Sequence, residues 1–326
     1  MKAAKKLWEA LGGGRPGGGR PGAEDYLELV GRGMRRLPGA TSIEEQAYCE
    51  WMAAEQFRGD GCIVEFGSWL GSLTMRTMVG LLRNGRARNR TIHTYDLFRW
   101  EAGSNGWAAG TPFDRLYQPG DSFLPLYEQL VAPFRGAVDL HVHEGDLSQA
   151  DWEGGPIEIL VNDAWKTMPL MANTVRRFFP WLGEGATVFH QDYLWCTESW
   201  IHVGMYRLRK WFRMERRVKN SSTAVFRMEA KPPAGVLEGF AELGDVGGLS
   251  EDEVEAAFDW SLSLLEDADA RLVAKAGKAW LLHRMGREAA ARRIFAENRA
   301  SPDWGHPYYQ FQEQTLREWG FGFLME

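Results

Sequence analysis

Glu65, Gly67, Ser68 and Gly71 stand in one short run, Gly61-Cys62-Ile63-Val64-Glu65-Phe66-Gly67-Ser68-Trp69-Leu70-Gly71-Ser72-Leu73-Thr74. Asp96 closes a second strand-like run, Thr91-Ile92-His93-Thr94-Tyr95. An acid at the end of a buried strand, followed by glycines, is an arrangement that faces a ligand. Gly67 allows a backbone conformation and a close ligand approach that a Cβ would obstruct. Gly71 lets the start of a helix pack against the strand, with Ser72 and Thr74 available for local hydrogen bonds. The carboxylate of Glu65 selects the chemistry: it repels a pyrophosphate and welcomes a cationic or hydroxyl-rich group. The spacing Glu-x-Gly-x-x-x-Gly also differs from the Gly-x-Gly-x-x-Gly of dinucleotide sites. Asp96 is placed to accept both ribose hydroxyls of a nucleoside, a role that serves several cofactors equally.

Alternating strands and helices must position these groups. Thr41-Ser42-Ile43-Glu44-Glu45 caps a helix running to about Phe57, which leads directly into the first strand, Cys62–Phe66. A helix over Leu70–Asn84 and the second strand follow. Residues 98–136 form a long connection containing a helix near Asp121–Val131, a candidate lid or simple packing over the sheet edge. Further strands are expected at Val138–His143, Pro156–Ala164 (with polar groups at its end) and Ala186–His190, with a helix at Pro169–Phe179. A helix over Trp200–Met214 carries Arg207, Arg209, Lys210 and Arg213, as a solvated face or an anion-facing one. Strands near Glu215–Lys219 and Ser222–Met228 complete a seven-stranded sheet whose last strand is antiparallel. The fold class is therefore α/β: a Rossmann-like sheet with helices on both faces and a small all-α C-terminal extension.

Three segments divide the chain. Residues 1–40 read as a Gly/Pro-rich tether with short helices, one over residues 1–11 and one over Tyr26–Arg36. Residues 41–230 form the α/β domain, and Lys231-Pro232-Pro233-Ala234-Gly235 opens a helical extension over 231–326. In the extension, Ser250-Glu251-Asp252-Glu253 reads as a capping box. Ala279-Trp280-Leu281-Leu282-x-x-x-Gly286 with Ala291-x-x-x-Phe295 resembles one tetratricopeptide-type repeat, a docking surface or a piece packed on the main domain.

The Glu65–Gly71 motif with Asp96 resembles class I S-adenosylmethionine (SAM) methyltransferases, and residues 41–230 look nearest to O-methyltransferases of sugars and natural products, the macrocin type. The resemblance implies that Glu65, Gly67, Ser68 and Gly71 face the amino-acid part of SAM and that Asp96 holds the ribose. It also places Asp146, after the third strand, near the adenine. Those relatives carry acidic metal ligands after strands four and five. Here the corresponding places read Asn162-Asp163-Ala164 and Gln191-Asp192, so half of each acidic set is missing. Asp163 and Asp192, with the Asn162 or Gln191 carbonyls, are what remains for Mg²⁺. A metal-free transfer needs a general base instead, for which His190, Asp163 and Lys166 are the candidates. Trp69, Trp165 and Trp195 are expected to shape an acceptor pocket or to fill the core.

A net charge of −6 over 326 residues leaves no global footprint for nucleic acid. Cys49, Cys62 and Cys196 form no spaced pair, which points to buried, reduced thiols of a cytoplasmic protein. No run of about 18 apolar residues suggests a membrane span, and the start lacks the apolar core of a signal peptide. The expected partner is a small-molecule or glycan acceptor, with pairing of two copies implied by the resemblance. Two other readings stay open: a NAD-type oxidoreductase, and a non-catalytic adaptor with a degenerate cofactor site.

Overall fold

The run Cys62–Phe66 becomes β1, buried along its whole length, in a computed structural model that describes residues 22–30, 37, 39–111 and 113–325. The helix read over 1–11 and the tether up to residue 21 lie outside the described residues, as does the 31–36 end of the helix expected from Tyr26. The strands form one seven-stranded mixed sheet ordered β3-β2-β1-β4-β5-β7-β6. By packing, the chain divides into two units, Met1–Val161 and Asn162–Glu326.

The first unit contains α1 (Ala23–Val30), α2 (Ile43–Trp51), β1, α3 (Ser72–Arg83), β2 (Thr91–Asp96), α4 (Ser104–Ala108), α5 (Leu124–Val131), β3 (Asp139–Glu144) and nearly all of β4 (Ile157–Asn162). Ser42 and Glu45 form the capping box that starts α2, with the Glu45 amide on Ser42 Oγ (3.1 Å) and the Ser42 amide on the Glu45 carboxylate (2.6 Å). The helix continues as a wider turn over Met52–Gln56 and stops at Phe57, where the sequence placed its end. β1, β2 and β3 run parallel, with Val64 beside His93 and His93 beside His141. The 98–136 connection packs inward: Phe98, Trp100, Phe123, Tyr127 and Phe134 are all buried.

One carboxylate ties the loop before β1. Glu158 accepts the backbone amides of Arg58 (2.7 Å), Gly59 (3.0 Å), Asp60 (3.0 Å) and Gly61 (3.4 Å). Its removal strands amides that water only partly reaches. Glu158→Ala is expected to cost about 1–3 kcal/mol, read as a lowered urea midpoint, with Glu158→Gln recovering part of it. An unchanged midpoint would show that water replaces the carboxylate at no cost.

The second unit contains α6 (Met168–Phe178), β5 (Leu182–His190), α7 (Trp200–Leu208), β6 (Phe212–Arg217), β7 (Ala224–Met228) and α8 (Ala234–Glu238). The extension adds α9 (Glu251–Leu264), α10 (Ala268–Arg284), α11 (Glu288–Arg299) and α12 (Pro307–Leu316). β7 lies between β5 and β6 and is antiparallel to both. The helix expected to reach Met214 ends at Leu208, because Phe212 and Met214 pair with Met228 and Phe226 as part of β6. The basic face is correspondingly broken up. Arg207 pairs with Glu253 (2.7 Å), Arg209 lies over the Tyr206 ring (3.7 Å) and Arg213 pairs with Glu229 (2.7 Å). Ser250 caps α9 through the Glu253 amide, but the Glu253 side chain is spent on Arg207, so the reciprocal half of the box is not made.

Candidate functional site

The turn after β1 is built on a bent backbone. Gly67 and Gly71 adopt φ of 78° and 76°, as a glycine does at no steric cost. A Cβ on Gly71 would also stand 3.0 Å from the Tyr127 ring. Trp69 (φ 41°) and Phe98 (φ 48°) share the left-handed region without being glycines, a strain that needs compensation. Asp96 supplies it: one carboxylate oxygen accepts the Trp69 amide (2.8 Å) and the other the Phe98 amide (2.6 Å). The Ser68 amide also acts on this carboxylate, which has about four acceptor positions in all. Burial raises the Asp96 pKa, with the Trp69, Phe98 and Ser68 amides opposing and the Glu101 charge adding to the rise.

Glu65 is 3% exposed and accepts the Thr74 hydroxyl at 2.6 Å. Burial lifts its pKa to about 8, Thr74 opposing and the Asp96 charge adding to the rise. Its other oxygen, Oε1, is buried with no hydrogen-bond partner among the described residues. A buried acceptor without a donor is costly, and a cationic ligand group is the natural donor for a carboxylate. Thr74, a positioning residue here, was read from the sequence only as a local hydrogen-bonder.

Asp146 follows the end of β3, where the Gly145 amide donates to the Asp96 carbonyl (2.9 Å). The Asp146 carboxylate accepts the Ser148 amide (2.8 Å). It lines a cavity of about 590 Å³ with His93, Tyr95, His143, Gln149 and Trp152, to which Glu65, Gly67, Ser68, Gly71 and Asp96 do not contribute. The cavity wall is a histidine row: His93 stacks on His141 (4.5 Å) and Tyr95 on His143 (4.2 Å), with His93 Nδ1 3.0 Å from His143 Nε2. Burial, reinforced by the neighbouring imidazoles, lowers His93 to about 4. Sequence reading passed over this row, although His-x-Tyr and His-x-His on adjacent strands put all four rings on one face.

The second unit gathers a separate polar cluster after β4 and β5. Lys166 Nζ donates to Asp163 at 2.9 Å and also contacts Asp192. Burial and the Asp192 charge hold Asp163 well above the usual carboxylate range, Lys166 opposing. Burial alone would lower the lysine, but Asp163, Asp192 and Glu198 outweigh it and hold it well above its ordinary value. Glu198, which sequence reading missed, is pushed to about 7 by burial and Asp192, with Lys166 opposing.

His190 does not join that cluster. It is fully buried, edge-on to Trp165 (4.4 Å), with Nδ1 2.9 Å from the Asn162 amide nitrogen. Burial lowers its pKa to about 3. A strand-end imidazole is expected to meet the acceptor; the ring is enclosed instead, and burial lowers its basicity. Trp165 is likewise core, its indole N–H on Thr174 (2.7 Å), while Trp195 lies against Phe311 and Trp69 against Trp100.

Solved methyltransferases resemble this fold. The chain is similar to the O-methyltransferase NovP, with 18% identity, a TM-score of 0.44, and coverage of 64% of this chain and 100% of that one. It is similar to CalS11, the TDP-rhamnose 3'-O-methyltransferase of calicheamicin biosynthesis, at 17% identity and TM-score 0.41, covering 69% and 93%. The SAH-bound Podospora anserina methyltransferase PaMTH1 follows at 12% identity and TM-score 0.40, covering 70% and 95%. No protein-family profile matches the sequence, and no curated protein is similar to it.

Proposed function

We propose that this chain is a SAM-dependent methyltransferase that methylates a hydroxyl of a small-molecule or glycan acceptor, with 41–230 as its methyltransferase domain. The observation that carries the reading is the buried Glu65 carboxylate, which leaves Oε1 without a donor beside the glycine turn. The amino-acid ammonium of SAM fits that oxygen, and the ribose hydroxyls fit the acceptor capacity left on Asp96. Asp146 is assigned to the adenine amine. When bound, SAM supplies an electrophilic methyl on a sulfonium. The chain's own part is to hold the cofactor through these residues and to orient the acceptor. The proton released by the hydroxyl is assigned to the Asp163–Asp192 pair, with Lys166 balancing its charge. The net charge of −6 favours an acceptor other than nucleic acid.

Calorimetric titration of the purified chain with S-adenosylhomocysteine, beside NADH, tests the assignment. Micromolar binding of the former and none of the latter is expected. NADH binding alone would point to an oxidoreductase, and silence from both would leave an adaptor. An acceptor screen should then include sugars, polyketides and tRNA, since methylation of tRNA alone would overturn the acceptor class.

A further inference from the structure

The resemblance implies a divalent cation after β4 and β5, and the residues present do not fit one. Asp163 and Asp192 remain of the expected acids, and the Lys166 ammonium stands between them, 2.9 Å from Asp163 and in contact with Asp192. Of the two amides that replace acids, Gln191 keeps a buried Oε1 without a hydrogen-bond partner among the described residues, and Asn162 is hydrogen-bonded at both ends. Its amide nitrogen meets His190 Nδ1 at 2.9 Å and its Oδ1 accepts the Ala164 amide at 3.3 Å. Among the described residues, no group of three or more His, Cys, Asp or Glu is arranged to hold a metal.

We propose that Lys166 is the resident cation of this site, its ammonium filling by a covalent tether the place between Asp163 and Asp192 that a divalent ion would take. The charges support the exchange. An ammonium between two carboxyl groups relieves the repulsion that would hold them apart within a few ångströms. An ammonium has three donors. Two are spent on the aspartates, which leaves a third donor for a further oxygen. A lysine on the loop after β4 thus gives the site a fixed positive charge that needs no loading and that chelators cannot remove. The inference concerns the site's cation and rests on the methyltransferase reading only for what that third donor meets.

Manganese titration followed by electron paramagnetic resonance tests it without any turnover. The wild-type chain is expected to leave the Mn²⁺ signal unchanged up to millimolar concentrations. Lys166→Ala should open the carboxylate pair and bind Mn²⁺ at least tenfold more tightly than wild type, and adding Asp192→Asn should abolish the gain. Lys166→Arg, which keeps a cation in place, should behave as wild type. Lys166→Met keeps the aliphatic stem and repeats the experiment if the alanine variant does not fold. Mn²⁺ uptake by the wild type that Asp192→Asn removes would overturn the proposal, as would a folded Lys166→Met variant that takes up none. Titrating S-adenosylhomocysteine into the same samples keeps the two readings separate, because loss of cofactor binding leaves the metal result intact.

Discussion

Asp96→Ala is expected to weaken S-adenosylhomocysteine binding by a hundredfold or more, about 3 kcal/mol. Two hydrogen bonds from ribose hydroxyls to a charged acceptor account for that much. The same substitution frees the Trp69 and Phe98 amides, whose residues hold left-handed backbone, so the turn itself loosens. Asp96→Asn separates the two effects. It keeps an acceptor for one amide while removing the charge, and its binding should fall between the wild type and the alanine variant. Calorimetry on all three proteins checks this, with thermal unfolding to confirm that each is folded. Affinity within threefold of wild type in a folded Asp96→Ala protein would remove Asp96 from the site.

Glu65→Gln should make the ligand-free protein more stable than wild type at pH 9 and no more stable at pH 4.5. The Glu65 pKa rises on folding from 4.5 to about 8, chiefly through burial. Below pH 4.5 the carboxyl is neutral in both folded and unfolded chains and costs nothing. Between pH 4.5 and 8 the unfolded chain releases its proton while the folded one retains it, so stability falls as pH rises, and above 8 the full cost stands. That cost is about 3–5 kcal/mol. Glutamine cannot ionise and can still accept the Thr74 hydroxyl, so the variant escapes it. Urea unfolding at the two pH values measures the difference. An equal offset at both would mean that Glu65 does not titrate with folding. A cationic ligand on Oε1 relieves the same cost, which makes the glutamate expensive in the empty protein and useful in the loaded one.

Local pattern carried most of the fold. β1 is found as read at Cys62–Phe66 and β2 within one residue; β1 announces itself as a buried, mostly apolar run and β2 by its β-branched and aromatic residues, neither needing knowledge of its neighbours. The capping box at Ser42 was equally local. The error at Trp200–Met214 came from the same source. Arg207 to Arg213 fit a helix by period, but Phe212–Arg217 gains more by pairing with β7, a partner further along the chain. Burial was the least legible quantity. Nothing near His190 or Trp165 in sequence says that they face inward, since their enclosure comes from Asn162, Phe226 and Thr174. Lys166 was legible as a charge but not as a bridge, because its two aspartates meet only after β4 and β5 are in place.

The order of the strands sets a timetable for synthesis. β7, the partner that covers the edge of β5, is made after β6, so the His190 edge is bare until Ala224–Met228 has left the ribosome. At translation speeds that interval lasts a few seconds. During it a long apolar strand presents unpaired amides and carbonyls to any passing chain. The run of arginines in β6, including Arg213, Arg216 and Arg217, is made in that same interval. Like charges facing each other oppose strand pairing, so that segment is a poor template for a second copy of itself.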